Sequence, residues 1–264
     1  MNSPTKSILI VTEGKTEKTL LKRLFKKFDL PEVNFVCLNT NLHKLYTEYE
    51  SYECDYSDLD LTAVLRSSNQ VKKSDKEKLF EKSANDFTDI FLIFDLDPQA
   101  GDFCSDEIQT LMDHFSDSSD AGKLFINYPM VESFFHVPLS VLNIEESGTF
   151  CKPIQYPLSE LSHYKEFVGK HGFKYSEEQT TDLFCRVIRK HAKIVSFLTK
   201  SMPKESFIQT NLKKLFAVQL EILKTDRTIF VANTVCLLIP ELYPSNCSLC
   251  LPIEETVSKE VLDH

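Results

Sequence analysis

Three carboxylates of this sequence stand where runs of apolar residues stop, and a fourth, Glu17, lies one helical turn beyond the first of them. They are Glu13, Glu17, Asp95 and Asp97. The first two follow the run SILIV, and the last two close the run IFLIFDLD. Carboxylates held close together stay ionised only when a cation compensates them. Oxygen ligands of this kind favour Mg²⁺ or Mn²⁺, which supports phosphoryl-transfer chemistry. A helix cap and an exposed charge would explain the same residues without any metal.

The apolar runs predict the elements that would position these carboxylates. Residues 7–11 read as a buried strand, and residues 16–28 carry leucines and phenylalanines at helical spacing. Residues 89–97 contain five consecutive apolar residues, which is typical of a parallel strand covered on both faces. Because sites in open α/β sheets form at the carboxyl ends of strands, we expect the carboxylates to meet there. Asp95 and Asp97, spaced by two, should point to the same side of their strand.

The rest of the chain predicts an α/β domain over residues 1–140 and a mainly helical domain over residues 141–264. Alternating strands and helices in the first part favour a mostly parallel sheet flanked by helices. Additional strands are expected at residues 33–38 and 123–128. Helices are expected at residues 43–50, 61–87 with a polar interruption, 106–115, 131–137, 177–200 and 206–225. Residues 228–238 could be helix or strand.

Composition excludes several classes of protein. The chain has 264 residues, a net charge of -9 and 42% hydrophobic residues, which argues against global disorder. With 6 Gly and 11 Pro, collagen-like and low-complexity sequences are excluded. No apolar run approaches the ~20 residues of a membrane span, and the first apolar run is too short for a signal peptide. We therefore expect a cytoplasmic protein without a membrane partner.

The 8 Cys are expected to be thiols in a reducing compartment. Cys247 and Cys250 form a CxxC pair, and the sequence contains no second pair of this kind. Because a structural zinc site usually needs two pairs, two incidental thiols are the favoured interpretation.

Charge is distributed unevenly along the chain. Residues 1–130 carry 15 Lys and Arg against 23 Asp and Glu, whereas residues 165–227 carry 13 against 7. Four basic residues fall at helical spacing within the second segment: Arg186, Arg189, Lys190 and Lys193. This shared face could bind a nucleic-acid backbone or could simply be solvated, and charge patterning leaves both readings open. His136 and His191 could be proton shuttles or structural residues.

Two segments together resemble a known family. The segment ILIVTEGKTEKTLLKRL, followed later by IFLIFDLD, resembles the Toprim domain, the metal-binding fold shared by topoisomerases, primases and several nucleases. The family pattern has a Glu in the turn after its first strand and a DxD after a later one. A third segment, NYPMVE at residues 127–132, resembles the Asn-Pro-x-x-Glu stretch of RloB-like Toprim proteins, with one residue more between Asn and Pro. The chain is also similar to OLD-type nucleases and to the Toprim effector of the PARIS phage-defence system.

The resemblance assigns roles to individual residues. It implies that Glu13 is a general base or a metal ligand and that Asp95 and Asp97 ligate Mg²⁺ or Mn²⁺. Glu17 and Glu132 would be supporting acids. Asp102 is a further candidate in the loop that follows.

Lys15 and Lys18 could contact phosphate, although a lysine on a helix surface is the commoner case. The sequence Gly14-Lys15-Thr16 resembles the end of a P-loop, but Leu9 stands where that motif needs a glycine, so an ATP-binding P-loop is excluded.

The activity implied is metal-dependent cleavage of phosphodiester bonds in DNA or in an RNA such as tRNA. The resemblance further implies an effector of bacterial anti-phage defence that is gated by a partner ATPase. Two alternatives stay open: a non-catalytic Toprim subunit for interaction or sensing, and a primase-like nucleotidyl transferase. A homo-oligomer is one option for the assembly.

Overall fold

A computed structural model describes residues 7–30, 33–52, 54–80, 82–137, 153–200 and 207–242. The described strands are β1 (Ile8–Thr12), β2 (Asn34–Cys37), β3 (Asp89–Asp95), β4 (Ser116–Asp117), β5 (Gly122–Asn127), β6 (Gln155–Pro157) and β7 (Thr228–Phe230). The described α-helices are α1 (Lys15–Lys27), α2 (Leu42–Glu50), α3 (Leu61–Ser67), α4 (Lys73–Lys76), α5 (Ser105–His114), α6 (Tyr164–His171), α7 (Thr181–Thr199), α8 (Phe207–Thr225) and α9 (Val235–Leu242).

The fold is α/β, with a mostly parallel five-stranded sheet flanked by helices. The strand order is β2-β1-β3-β5-β4, in which only the short β4 pairs antiparallel. The chain passes from β1 to β2 on one side of β1 and then crosses to β3 on the other side. The strand order therefore reverses at β1 and β3, which is where open α/β sheets form ligand sites. A second sheet consists of β6 and β7, paired antiparallel.

The apolar runs form the centre of this sheet. All five residues of β1 and the five apolar residues of β3 are buried, as a parallel strand between two helical layers requires. Helix α1 buries Leu20, Leu21, Leu24 and Phe25 and ends in a basic last turn. Burial of these continuous runs fixes β1 and β3, so the residues that follow them are held on rigid elements.

The structure confirms the α/β sheet and most of its elements to within one or two residues. Three differences have physical causes. The predicted helix at residues 61–87 is two short α-helices followed by two 3₁₀ turns, because polar segments interrupt the apolar spacing. The predicted helix at residues 131–137 is a 3₁₀ helix over Val131–Phe135. The segment 228–238 contains both alternatives, since β7 is followed by α9.

Residues 153–242 pack against the sheet through several polar contacts. The hydroxyl of Thr234 donates to the Ile126 carbonyl at 2.9 Å, and the Lys123 ammonium pairs with Glu241 at 2.6 Å. Tyr128 and Ala232 form an antiparallel bridge. This part contains α6 to α9 and the small sheet; its assignment as a separate helical domain stays a prediction.

Two further predictions concern other parts of the chain. No helix in the described ranges is long and apolar enough to cross a membrane. Cys247 and Cys250 lie outside the described residues.

Candidate functional site

Glu13 and Asp95 meet where the strand order reverses. The backbone amide of Glu13 donates to the Ile93 carbonyl at 2.9 Å, which continues the β1–β3 ladder one residue past β1. The Glu13 side chain then turns towards β3, where its Oε2 accepts the backbone N–H of Asp95 at 3.0 Å. The two acids that the sequence placed at strand ends therefore lie side by side at the carboxyl edge of the sheet.

Asp95 is oriented from the next strand. Asn127 is the partner of Asp95 in the β3–β5 register, and its Nδ2 donates to Asp95 Oδ1 at 3.2 Å. The backbone amide of Val131 is a second hydrogen-bond donor to this carboxylate. Asn127 is itself held, because its Oδ1 accepts the backbone N–H of Val235 at 3.4 Å. The segment 127–132 thus positions Asp95.

Glu17 lies in the same neighbourhood, but its side chain also caps α1. Its Oε2 accepts the backbone N–H of Gly14 at 2.8 Å, so it satisfies a donor that the start of the helix leaves free. Glu17 is buried. Glu132 forms an ion pair with Lys165, whose Nζ lies 2.7 Å from Oε1. Glu132 is therefore already compensated by a side chain of this protein.

Asp97 does not share a strand with Asp95. Strand β3 ends at Asp95, so Asp97 lies on the exposed loop that follows, and its Oδ1 accepts the backbone N–H of Gln99 at 3.2 Å. The expectation of one strand with two carboxylates on the same side is wrong in that detail. Asp95 and Asp97 nevertheless line one small cavity of about 20 Å³, together with Asp102 and His43.

Burial and mutual repulsion govern the electrostatics of the acidic edge, by which we mean Glu13, Glu17, Asp95 and Asp97. Burial raises the pKa of Glu13 to about 7, and the charges of Glu17 and Asp97 push it in the same direction. Burial also raises the pKa of Asp95 well above its usual range, with Glu17 and Glu13 adding to the effect. The pKa of Glu17 is raised mainly by burial as well. A divalent cation would offset both the burial of these carboxylates and their mutual repulsion.

The acidic edge fits Mg²⁺ in its chemistry, although it is not a preformed cage. Its donors are carboxylate oxygens, and the cavity beside Asp95 and Asp97 has room for one water-sized body. Within the part of the chain that the structure describes, no group of three or more His, Cys, Asp or Glu side chains is arranged to hold a metal. Mg²⁺ commonly uses one or two carboxylates and keeps several waters, which this arrangement allows.

The predicted phosphate contacts are divided between two regions. Lys15 begins α1, directly beyond the Glu13-Gly14 turn, and is exposed. The four basic residues at 186–193 lie on α7, where Arg186 forms an ion pair with Asp182 at 2.7 Å. Burial lowers the pKa of Lys190. The α7 face is thus partly engaged within the protein, and nucleic-acid binding by it stays a prediction.

The two histidines singled out from the sequence pack inside the protein. His191 is fully buried, its Nδ1 accepts the backbone N–H of Asn233 at 3.1 Å, and burial lowers its pKa to about 3. His136 is also buried, and its Nδ1 lies 3.0 Å from the Tyr164 hydroxyl. These contacts favour the structural reading of both residues.

Sequence reasoning missed His43 and Glu107. The Nδ1 atom of His43 lies 2.5 Å from Glu107 Oε2, and the His43 side chain lines the cavity beside Asp95. Asp102 is held nearby by the Nδ2 of Asn41 at 3.2 Å. The pair joins α2 to α5, and no local pattern in the sequence signals that contact.

No protein-family model, no curated protein and no solved structure matches this chain. The fold and the site geometry therefore define an α/β protein with a carboxylate cluster at the switch point of its sheet. The resemblance to Toprim proteins stays a prediction from the sequence.

Proposed function

We propose that this chain is a Mg²⁺- or Mn²⁺-dependent nuclease that cleaves phosphodiester bonds in DNA or RNA, tRNA included. The observation that carries the proposal is the meeting of Glu13 and Asp95 at the switch point, with Asp97 on the same cavity and no cationic side chain bonded to any of the three in the described ranges. Keeping Glu13 and Asp95 close together without a bonded cation costs stability, and strongly perturbed carboxylates of this kind are often found where a protein binds or reacts.

The carboxylates of the acidic edge would have different roles in cleavage. Asp95 is held by Asn127 and by the Val131 amide, so its carboxylate has a defined orientation. Glu13 is held on a backbone that is bonded to β3, and in this proposal its carboxylate accepts a proton from an attacking water. Asp95 and Asp97 would hold the cation. When bound, Mg²⁺ or Mn²⁺ would offset the negative charge that develops on the phosphate.

The biological setting is part of the same proposal. The sequence resemblance supports an effector of bacterial anti-phage defence that is gated by a partner ATPase. A partner or a second copy of the chain could complete the ligand set at the acidic edge. The proposal therefore includes gating of the cleavage activity.

A second candidate function is a non-catalytic Toprim subunit that senses or binds a partner. The observation that favours it is the lack, among the described residues, of a preformed group of three metal-binding side chains. In that case the acidic edge and the Tyr-rich segment around residues 46–56, where Tyr52 is exposed and Tyr49 is buried, would form the docking surface.

Cleavage of a substrate panel separates the two functions. Plasmid, single-stranded DNA and total tRNA are incubated with the chain in Mg²⁺ or Mn²⁺, and the wild type is compared with Asp95→Asn. The matched control is Asp120→Asn, which removes an exposed carboxylate in the turn before β5, at the opposite edge of the sheet. Metal-dependent cleavage that only Asp95→Asn abolishes supports the nuclease. Cleavage that survives in Asp95→Asn contradicts it.

A further inference from the structure

A cavity of about 320 Å³ opens between α1, the end of β2 and the start of α4. We call it the lysine pocket. Its lining includes Lys15, Lys18, Lys22, Asn39, Lys72 and Asp75. Three of its lysines come from α1, at positions that share one helix face, and the fourth precedes α4. The pocket therefore joins two elements that lie far apart in the sequence.

The charge of the lysine pocket is opposite to that of the whole chain. Four lysines and one aspartate line it, in a protein whose net charge is -9. The aspartate does not cancel the lysines, because Asp75 is hydrogen-bonded to Lys78, which lies outside the lining, and to the Cys37 amide at 3.1 Å. Lys18 lies 3.7 Å from Asp75, whereas Lys15, Lys22 and Lys72 are exposed. Several lysines around one concave space form a site for a polyanion.

The lysine pocket and the acidic edge share one turn of backbone. Asn39 lines the pocket, and its N–H donates to the carbonyl of Glu13 at 2.8 Å. Glu13 sends its side chain the other way, towards Asp95. Lys15 follows two residues later. A chain of phosphates crossing the carboxyl edge of the sheet from β3 to β2 would therefore pass from the acidic edge to the lysine pocket.

We propose that the lysine pocket binds a phosphate group of a nucleic-acid strand, next to the phosphodiester that reaches the acidic edge. The inference rests on the proposed function and specifies how its substrate is held. Lysine suits this role because its ammonium acts as a point charge on phosphate oxygens without requiring a fixed geometry. Ser74 also lines the pocket and carries a hydroxyl that can donate to a phosphate oxygen, whereas the Thr19 hydroxyl already donates to the Lys15 carbonyl at 2.7 Å.

The test is a binding measurement made without metal, so that it does not depend on cleavage. Fluorescence anisotropy follows a labelled single strand in EDTA, across a series of salt concentrations. The variant is Lys22→Gln with Lys72→Gln, and the control is Lys73→Gln with Lys224→Gln, which removes two exposed lysines that do not line the pocket. Tripolyphosphate is the second probe. Circular dichroism checks that both variants are folded.

We expect the pocket variant to bind the strand about tenfold more weakly, with a salt slope smaller by about 0.7, since one lost phosphate contact removes about 0.7 for single strands. The control should match the wild type. If the wild type binds only tripolyphosphate, and the variant loses that binding, the pocket is a site for free phosphates and the strand assignment is overturned. Equal affinity and slope in the wild type and both variants overturn the pocket itself. Cleavage that survives in Asp95→Asn, together with weaker strand binding by the pocket variant, would contradict the nuclease proposal and leave this inference standing, which separates the two.

Discussion

Buried carboxylates in this protein occur in two kinds of surroundings. Glu241 is paired with Lys123, and Asp75 is bonded to Lys78 with Lys18 nearby. At the acidic edge, Glu13 and Asp95 receive hydrogen bonds only from backbone and amide N–H groups in the described ranges. Lysines thus bond directly to Glu241 and Asp75, whereas Lys165, which bonds Glu132, acts on Asp95 and Glu17 only through its charge. We infer that the acidic edge is kept for a cation that does not come from the protein.

Replacing Asp95 with Asn should have the strongest effect on cleavage. The substitution keeps the shape of the side chain but removes the charge, so cleavage should fall between about 100- and 1000-fold if the carboxylate acts in the transition state. The melting temperature should stay the same or rise, because Glu13 and Glu17 lose a repelling neighbour. Single-turnover cleavage and thermal melts measure the two effects. A fall in both activity and stability would mean that Asp95 serves the fold.

The opposite behaviour is expected for Glu241→Gln. This change leaves the Lys123 ammonium buried without its partner, which should lower the free energy of unfolding by about 3 kcal/mol. Urea denaturation measures the loss, and cleavage per folded molecule should not change. The double variant Lys123→Met with Glu241→Leu is the control, because it removes both charges and should recover most of the stability. Undiminished stability in Glu241→Gln would remove the contrast between the two kinds of site.

Addition of Mg²⁺ should distinguish Asp95 from Glu241 through its effect on the free energy of unfolding. At a hundredfold excess over its dissociation constant, Mg²⁺ should stabilise the wild type by about 2.7 kcal/mol. Asp95→Asn should lose this gain, whereas Glu241→Gln should keep it despite its lower starting stability. Denaturant titrations with and without Mg²⁺ provide the measurement. An equal gain in Asp95→Asn would place the cation elsewhere.

The smallest effect concerns acid stability. Burial pushes the pKa of Asp75 up, but Lys78, the Cys37 amide and Lys18 together push it down further, so its pKa in the folded protein is below the ordinary value. The stabilisation is therefore complete above the unfolded pKa of about 3.9 and is lost as the pH falls through the folded pKa. Asp75→Asn should be less stable at neutral pH and show a flatter decline in acid. Urea midpoints measured from pH 6 downwards test this, and parallel curves for the two proteins would refute it.

The sequence predicted the strand-turn-helix and the long third strand well because the information is local. The buried run of β3 and the helical spacing of α1 need no knowledge of distant residues. The contact between Asp95 and Asn127 depends on the register of two parallel strands joined through α5, and periodicity carries no register. The short β6 and the helix α6 were missed because three extended residues and eight helical ones are weak patterns.

Sequence reasoning about the candidate site had a similar limit. It identified Glu13 and Asp95 because both follow apolar runs, but it could not foresee that Glu17 closes the start of α1 or that Lys165 bonds Glu132. The lysine pocket was out of reach, since Lys22 and Lys72 come together only when α1 packs beside β2 and α4. Residue spacing identifies side chains that share one helix or strand, whereas both sites combine side chains from several helices and strands.

The backbone of Glu13 is bonded on both sides although it lies just outside β1. Its amide donates to the Ile93 carbonyl and its carbonyl accepts from the Asn39 amide. These two hydrogen bonds hold the backbone of Glu13 between two neighbouring segments and do not involve its side chain. The Glu13 amide should therefore exchange with solvent as slowly as those of the central strands. The side chain at this position can therefore be replaced while its backbone stays in place, and the direct structural cost falls on the Asp95 N–H, which loses its acceptor.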